Sequence, residues 1–597
     1  MICLTKSYVL SQLKYYRGIL ILLLLASVLI LYHISDQCLW NDEAQTANIA
    51  YNTMKYGYPT IYDGRNLLST ADGNNFNDKL VISNYEWLQF YITAASFRLL
   101  GKTVLAARLP FALFGIASIL LVWMLADRIY HSRKKANAIA VIYCLNVQFL
   151  LYCRQARYYT LAMFFTALAT LLFFDLLDLI GKGSSFKDKR LIRKAALLTL
   201  SVACNMHSSR LFGLVWLFAM FFYLLILRKV KIFLLLLPVG AGALTWGVWF
   251  FFTNIAVKAP SFGTGAIETH FAVKILLILW KLQVYFLPFL SLILIYLLFL
   301  FLQRIFYRRQ SFLEWEQKHW FFVLLVAGNI LATTLSRWGI INHYYLAVLV
   351  AAPFLIYPVL EYVWKSSRTM CVALFLVMVT TNLLNIWPYY LVKEESLIAW
   401  NESNNMLSEG YTETTNIGIF ASPDTNSNFR ISSLSSYLKN LRIRSYFYDY
   451  FRELSSDYYC YVDEIVEIFE EHGVKGDNVA VVGFEYNPYI FHSDVRIVNN
   501  LNPKLIPWPD YFTAYPNQKK YGHLTYIPDY EIDWLIVKGD GWLGNYVDDA
   551  AYFNEDRFEI IRTTTMDAPL ANSPDLDIHN FVTVTKGQPI TIMRRKP

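Results

Sequence analysis

Long apolar runs recur along the first two thirds of this 597-residue chain, and they constrain its fold more than any other feature. Examples are ILILLLLASVLIL at positions 19–31 and YFLPFLSLILIYLLFLFL at positions 285–302. Many of them approach the roughly 20 residues that an α-helix needs to cross a bilayer. Only 16% of the residues are charged, whereas soluble proteins contain about a quarter. The sequence therefore predicts a polytopic α-helical membrane protein and excludes a disordered one.

Charge divides the chain into two parts. Residues 1–390 contain 35 Lys and Arg against 15 Asp and Glu, whereas residues 391–597 contain 18 against 30. Basic residues in short loops between spans fix the orientation of a membrane protein, so this surplus is not a nucleic-acid-binding pattern. We expect a membrane domain over residues 1–390, which includes a long outer loop at 36–108, and an extracytoplasmic soluble α/β domain over 391–597.

The apolar runs predict about 11 transmembrane helices. Basic clusters fall on alternate loops, on the same side as Lys6, Lys14 and Arg17, which precede the first run. The N-terminus is therefore expected in the cytoplasm, and an odd number of spans places the C-terminal domain outside. The expected location is the plasma (inner) membrane, with the endoplasmic reticulum membrane as the alternative. The predicted spans are 19–31, 109–126, 136–152, 159–180, 192–206, 211–227, 232–253, 284–302, 319–335, 344–363 and 369–388.

Regular elements are also predicted outside the spans. The stretch YEWLQFYITAASFRLL at 85–100 has apolar positions at helical spacing and is expected along the outer membrane surface. In the C-terminal domain the pattern predicts strands at 416–421, 479–483 and 534–537 and a helix at 462–472. The seven cysteines show no CxxC or paired spacing, so neither a zinc cluster nor a disulfide framework is expected.

Carboxylates and arginines gather at the outer ends of the predicted spans. Asp42 and Glu43 follow the first span, where a carboxylate can act as a base beside a lipid-borne substrate or simply serve as a solvated loop acid or helix cap. Arg108 lies at the mouth of the second span, where an interfacial arginine is common. Arg154 and Arg157 share a short outer turn, against the positive-inside tendency, so they are expected to bind an anion or to pair with loop carboxylates.

Further polar residues occupy other outer turns. Ionisable groups at the membrane edge are functional candidates, although a single histidine there is more often structural. Glu268 and His270 follow a glycine-containing loop and are weak candidates for a metal site with an acid of the first loop. The remaining substrate-site candidates are Glu86, His207, His343 and Tyr344.

The motifs occur in the same order as in a known family of membrane enzymes. WNDEA, GKTVLAARLP, YCRQARYYTL, a histidine after the fifth span and HYYLAVLVAAPFL together resemble the GT-C glycosyltransferases that use polyprenyl-phosphate sugars. The similarity is greatest to protein O-mannosyltransferases and lipid A aminoarabinose transferases, over residues 36–225 and 343–354. Tyr158 stands where those families have proline, Ser83 to Trp87 replace a Lys-Pro-Pro stretch, and His343-Tyr344 replace Arg-Tyr or Lys-Tyr.

The resemblance implies an inverting transfer of a sugar from a polyprenyl-phosphate donor to an acceptor glycan, lipid or protein at the outer face of the bilayer. It implies that Asp42 and Glu43 are catalytic, with Asp42 as the base and Glu43 or Glu86 as competing assignments. It also implies that the donor phosphate binds Arg108, Arg154, Arg157 and Tyr159. No cofactor is required by the pattern, although a divalent metal is compatible with it.

Two other classes of function compete with the transferase. A transporter or flippase for a lipid-linked or sugar substrate also needs charges within the membrane, but transporters usually show internal repeats and helices broken near the middle of the bilayer. The sequence shows no convincing repeat, and its charged candidates cluster in outer loops. A noncatalytic scaffold accounts for the C-terminal domain but not for Arg154 and Arg157. The sequence therefore favours the transferase.

Overall fold

A computed structural model of the protein describes most of the first 386 residues and scattered parts of the remainder. Everything below refers to these residues. They are 6–66, 68, 77, 79–83, 85–184, 187–227, 235–254, 275, 278–290, 294, 318–336, 342–386, 443, 445–457, 460–482, 486–497, 532–538, 557–566, 573–576, 579, 581 and 588–597.

Helices make up nearly all of the regular structure in the described part of the membrane region. A π-helical turn, Leu282–Phe286, and a 3-10 turn, Asn342–Tyr345, interrupt the α-helical pattern. The α-helices, in chain order, are α1 Lys6–Leu31, α2 Asn41–Tyr56, α3 Leu88–Leu100, α4 Val104–Tyr130, α5 Arg133–Cys144, α6 Val147–Cys153, α7 Tyr159–Gly181, α8 Lys189–Ser208, α9 Arg210–Leu227, α10 Leu236–Asn254, α11 His319–Leu335, α12 Leu346–Ser366, α13 Arg368–Thr380 and α14 Leu383–Ile386.

Five helical segments of the described residues are long and apolar enough to cross a membrane, and a sixth is added if α5 and α6 form one broken span. Shorter apolar helices at Tyr16–Leu31, His319–Leu335 and Arg368–Thr380 coincide with three more predicted spans. The polytopic helical class is therefore confirmed, whereas the number 11 is not. The five segments are Val104–Tyr130, Tyr159–Gly181, Arg210–Leu227, Leu236–Thr253 and Asn342–Ser366.

Two predicted spans differ from the structure for identifiable reasons. The span at 136–152 is broken by a bend of 69° between α5 and α6, where the Asn146 side chain accepts a hydrogen bond from the amide of Phe149 and starts a new helix. The span at 192–206 is helical, but α8 begins KRLIRK, so basic residues occupy its first two turns. Most of the predicted span at 284–302 lies outside the described residues.

The outer loop between α1 and α4 is largely folded. It contains α2 and α3, which pack together, and an antiparallel bridge between Thr60 and Val81. The helix α3 confirms the helical pattern predicted at 85–100, and its position along the membrane surface stays a prediction. In the loop, Asp63 accepts hydrogen bonds from the amides of Arg65 and Asn66, which forms the turn that leads back toward the C-terminal region.

The C-terminal region contains a mixed five-stranded sheet with strand order β2-β1-β3-β5-β4. The strands β1, β2 and β3 are parallel, whereas β5 is antiparallel to both β3 and β4. Three of the predicted elements are present here within a residue or two, while the strand predicted at 416–421 lies outside the described residues. The elements are α15 Tyr446–Leu454, α16 Tyr461–Glu471, β1 Asn478–Val482, α17 Asn487–His492, β2 Arg496–Ile497, β3 Trp534–Lys538, β4 Phe558–Met566 and β5 Gln588–Arg595.

The sheet and the outer loop share one apolar core. Ile49 of α2, Phe90 of α3 and Ile468 of α16 are buried together with Ile536 of β3. The side chain of Asn66 donates to the carbonyl of Val495 and accepts from the amide of Ile497, so its amide group behaves as one more peptide at the edge of β2. The outer loop is therefore part of the C-terminal packing unit.

A disulfide between Cys38 and Cys460 joins the same two regions across 422 residues of sequence. The cysteine spacing, which indicated no disulfide framework, did not predict this single bond. Cysteine spacing indicates only local frameworks, and nothing in the local sequence marks a partner so far away.

Candidate active site

Asp42 and Glu43 lie in the first turn of α2, just beyond the end of α1. Their position suits the helix, because negative charge in a first turn is stabilised by the partial positive charge of the unpaired amides. Successive helical residues point about 100° apart, so the two side chains reach different surroundings. The Asp42 side chain is 32% exposed, whereas Glu43 is fully buried.

Glu43 and Arg108 form a buried pair that closes the loop after α1. Both oxygens of Glu43 accept from Arg108, at 2.9 and 2.7 Å, and one also accepts from the amide of Ala156 at 2.6 Å. The other N–H groups of Arg108 donate to the carbonyls of Ile34, Gln37 and Cys38 at 2.8 to 3.0 Å. All five guanidinium hydrogens are thus used inside the protein. Arg108 has no donor left for a phosphate.

Arg154 lies at the C-terminal end of α1. Its guanidinium donates to the carbonyls of Ile30, Tyr32 and His33 at 2.7 to 2.9 Å. These groups lack helical partners because the helix stops there, and a cation also suits the negative end of the helix dipole. Arg154 therefore caps α1, and its contact with donor phosphate stays a prediction.

Arg157 is buried and paired with Asp42. Its Nη2 lies 3.1 Å from the Asp42 carboxylate, and its Nη1 donates to the Thr46 hydroxyl at 3.0 Å. Burial opposes the charge of Arg157, but Asp42 and the surrounding tyrosines outweigh it, so the pKa of Arg157 is raised above its ordinary value. The Nε of Arg157 is buried and has no hydrogen-bond partner among the described residues.

The Tyr159 hydroxyl is likewise buried; it makes no hydrogen bond of good geometry to a described residue, but it lies within interaction range of the Arg157 side chain. Tyr159 is one of the residues that raise the pKa of Arg157, so the Arg157 guanidinium and the Tyr159 hydroxyl lie close together. The Tyr159 ring lies 5.5 Å from the ring of His343, which in turn lies 4.6 Å from the ring of Tyr344. Tyr344 is within electrostatic range of both Arg157 and Asp42. The structure thus brings five of the predicted site residues together.

Glu86 lies in a neighbouring buried position. Its carboxylate accepts from the backbone amide of Arg210 at 3.3 Å and lies 3.8 Å from the Arg210 guanidinium. Burial raises the pKa of Glu86 above its ordinary value, because the charge of Arg210 only partly offsets the loss of solvation. Arg210 also acts on Tyr344, which connects this pair electrostatically to the Arg157 cluster.

The other predicted site residues lie elsewhere or outside the described residues. His207 packs against α10, with its Nε2 3.4 Å from the Thr245 hydroxyl and its ring 5.7 Å from that of Trp249. Glu268 and His270, the weak metal candidates, are outside the described residues. Within the described ranges one triad has the spacing of metal ligands, Cys38 with Cys460 and Asp463, but the two sulfurs are joined in the disulfide and do not fit a metal.

Sequence reasoning missed Asp575. This residue lies in the C-terminal region, yet its carboxylate accepts from the Tyr152 hydroxyl at 2.7 Å and lies 3.0 Å from Nδ1 of His343. It is 2% exposed. The local sequence, SPDLDIHN, reads as an ordinary polar loop, so nothing in it predicted a carboxylate within the membrane region.

The helices described above are those of a polytopic membrane protein. The structure is similar to the lipid A aminoarabinose transferase ArnT from Cupriavidus metallidurans bound to undecaprenyl phosphate, with a TM-score of 0.50 at 11% identity over 97% of this chain and 98% of that chain. The likeness shows a shared fold.

Two further solved structures are similar at lower scores. Apo ArnT from the same organism has a TM-score of 0.47 at 11% identity, over 97% of this chain and 98% of that chain. The apo oligosaccharyltransferase of Archaeoglobus fulgidus has a TM-score of 0.45 at 12% identity, over 92% of this chain and 72% of that chain. No protein-family model and no curated protein sequence matches the chain.

Proposed function

We propose that the protein transfers a glycosyl group from a polyprenyl-phosphate donor to an acceptor at the outer face of the membrane. The observation that carries this proposal is the pairing of a buried Arg157 with the partly exposed Asp42. Arg157 supplies a cation that suits a leaving phosphate, and the adjacent Asp42 supplies a carboxylate that suits an acceptor hydroxyl. The shared fold with ArnT, whose crystal structure contains undecaprenyl phosphate, supports the choice of donor class.

The donor phosphate is assigned to Arg157 and Tyr159. The Nε–H of Arg157 and the hydroxyl of Tyr159 are both buried, and neither makes a hydrogen bond of good geometry to a described residue, although the two side chains interact with each other. A buried donor without a good partner costs about 1–3 kcal/mol. A phosphate oxygen accepts from both donors and removes that cost. Because arginine hydrogen bonds to phosphate are charge-assisted, they strengthen as negative charge grows on the leaving group.

Asp42 is assigned as the base. It takes the proton of the acceptor hydroxyl, the hydroxyl oxygen attacks the anomeric carbon, and the bond to the phosphate oxygen breaks with its electron pair leaving on the phosphate. A single displacement of this kind inverts the anomeric configuration. Without donor, Arg157 neutralises Asp42. Phosphate binding gives Arg157 a second anion to pair with, which frees the Asp42 carboxylate to contact the acceptor hydroxyl.

Glu43, Arg108 and Arg154 are assigned to holding this geometry, in place of the catalytic and phosphate-binding roles that the sequence predicted. Glu43 is fully buried and accepts three hydrogen bonds inside the protein, so an acceptor hydroxyl has no access to it. Arg108 and Arg154 donate to loop and helix-end carbonyls. They fix the segment that carries Asp42, and no step of the proposed reaction passes through a metal.

Two variants in nanodiscs separate the proposed roles, with undecaprenyl phosphate as the probe. Arg157→Ala should lose affinity for undecaprenyl phosphate, whereas Asp42→Asn should bind it at least as well as the wild type. In cells, Asp42→Asn should abolish transfer, so that mass spectrometry finds a lipid-linked sugar accumulating and one sugar missing from a surface glycan. The exposed Arg98→Ala on α3 is the matched control and should behave as the wild type.

Two outcomes would contradict the proposal. One is wild-type protein that does not bind undecaprenyl phosphate, or binds it equally well after Arg157→Ala. The other is Asp42→Asn cells whose glycans are unchanged. Movement of an intact lipid-linked sugar across the membrane without transfer would instead support the flippase alternative.

A further inference from the structure

A short segment of the C-terminal region, residues 573–576, is held against the membrane helix α6. The side-chain amide of Gln148 donates to the carbonyl of Pro574 at 2.6 Å and accepts from the amide of Leu576 at 2.9 Å. Gln148 is fully buried, so these bonds form away from water. Gln148 thus hydrogen-bonds the backbone on both sides of Asp575 and so fixes the direction of the Asp575 side chain.

The Asp575 carboxylate has two hydrogen-bond partners, one on each oxygen. Tyr152 of α6 donates its hydroxyl to Oδ1, and Nδ1 of His343 lies 3.0 Å from Oδ2. We assign Nδ1 of His343 as the donor in this contact and the Asp575 oxygen as the acceptor. The other ring nitrogen, Nε2, is left for another partner, and the ring stands 5.5 Å from that of Tyr159.

We infer that Asp575 is a positioning residue for the donor site, acting through His343. The inference rests on the proposed function, because the ligand it invokes is the donor phosphate beside Arg157 and Tyr159. With Nδ1 bound to Asp575, a phosphate oxygen accepts a hydrogen from Nε2. The ring then lies between the Asp575 carboxylate and the phosphate and bridges them. The C-terminal region thereby completes a site whose other residues all come from the first 345 positions.

The alternative is that Asp575 only attaches the C-terminal segment to the membrane helices. The two roles make different predictions for a double-mutant cycle with His343. A positioning residue loses its effect once His343 is gone, because there is no ring left to orient. A purely structural residue weakens the protein equally in either background.

The test measures undecaprenyl phosphate affinity in nanodiscs for Asp575→Asn, His343→Gln and the double variant. Each single change should weaken binding roughly tenfold to hundredfold, the effect of losing a hydrogen bond to a charged group, and the double variant should be no weaker than His343→Gln alone. Tyr152→Phe, which removes the other bond to Asp575, should change affinity less than threefold, or about 0.6 kcal/mol. Thermal unfolding of each variant shows whether it folds.

The outcomes distinguish this inference from the proposed function. If the wild type binds undecaprenyl phosphate and Arg157→Ala does not, the donor site stands. Additive losses in the cycle, or an Asp575→Asn variant with native affinity, would then overturn the role of Asp575 alone. Should Asp575→Asn not fold, Asp575→Glu keeps the charge but displaces it, and the same lack of additivity with His343→Gln is expected.

Discussion

At the scale of single residues, the neighbours Asp42 and Glu43 reach opposite environments. Glu43 accepts three hydrogen bonds in a fully buried position. Asp42 pairs with the guanidinium of Arg157 and remains partly exposed to solvent. A base must reach a substrate, and only Asp42 offers access. The separation arises from the angle between successive helical residues, because each points to a different side of α2.

Arg108→Ala should destabilise the protein rather than weaken donor binding specifically. It removes the partner of a fully buried carboxylate, which typically costs about 3–5 kcal/mol, and it also releases three loop carbonyls. The free energy of unfolding should fall by that amount in a denaturant titration of purified protein. Arg98→Ala, an exposed change on α3, should cost less than about 0.5 kcal/mol. A fully stable Arg108→Ala protein that no longer binds undecaprenyl phosphate would restore the phosphate role predicted from sequence.

The sequence predicted which residue types gather at the outer surface but not how they pair. Asp42, Arg157, Tyr159, His343 and Tyr344 follow family-like motifs, and the structure places them together. The sequence could not distinguish Arg108 and Arg154 from Arg157. Which partner each arginine binds depends on the backbone carbonyls that the folded chain places beside it. The sequence did not predict a role for Asp575 for the same reason: its partners, Tyr152 and His343, lie more than two hundred residues away in the chain.

At the scale of elements, the end of α1 depends on a side chain from another part of the chain. Arg154, just after α6, supplies the donors that the last carbonyls of α1 lack. α1 leads into the loop that carries Asp42, so this cap sets where the loop begins. Helical periodicity predicts where apolar helices lie, but not this cap or the bend between α5 and α6, which depend on local polar contacts.

Arg154→Ala should therefore lower the thermal unfolding midpoint while the protein that remains folded binds undecaprenyl phosphate with near-native affinity. Each carbonyl left buried and unpaired costs roughly 1–3 kcal/mol. Arg157→Ala is the comparison variant: it should lose binding, while its unfolding midpoint also falls because a buried ion pair is broken. Scanning fluorimetry and a binding titration on the same samples measure both quantities. Equal loss of binding in two equally stable variants would count against the capping role.

At the scale of the whole molecule, the outer loop and the C-terminal region behave as one body. They share an apolar core, the Asn66 bridge to β2, the contact of Asn487 with Asn41, and the Cys38–Cys460 disulfide. The disulfide lies four residues before Asp42 and so holds the start of α2. Disulfides persist in oxidising compartments, which supports the proposed placement of this body outside the cytoplasm.

Replacing both disulfide cysteines, as Cys38→Ser with Cys460→Ser, should lower the free energy of unfolding by about 2–5 kcal/mol. Dithiothreitol should produce the same loss in the wild type and none in the double variant, because the two act on one bond. Cys371→Ser changes a cysteine that is free in the structure and should leave the response to reductant unchanged. Mass mapping of oxidised protein that finds Cys38 and Cys460 as free thiols would refute the pairing.

The long reach of the disulfide has a consequence for how the protein is made. Cys38 leaves the ribosome 422 residues before Cys460, an interval of roughly 20–80 s at ordinary rates of translation. During that time the loop that carries Asp42 has an unpaired thiol, while the helix α16 that carries Cys460 at its start and the strands packed on it have not been synthesised. Correct maturation thus requires that no other oxidation capture Cys38 first. Among the described cysteines the remaining four lie in α5, α6, α8 and α13, within the membrane helices, so competition within the chain is limited by their position.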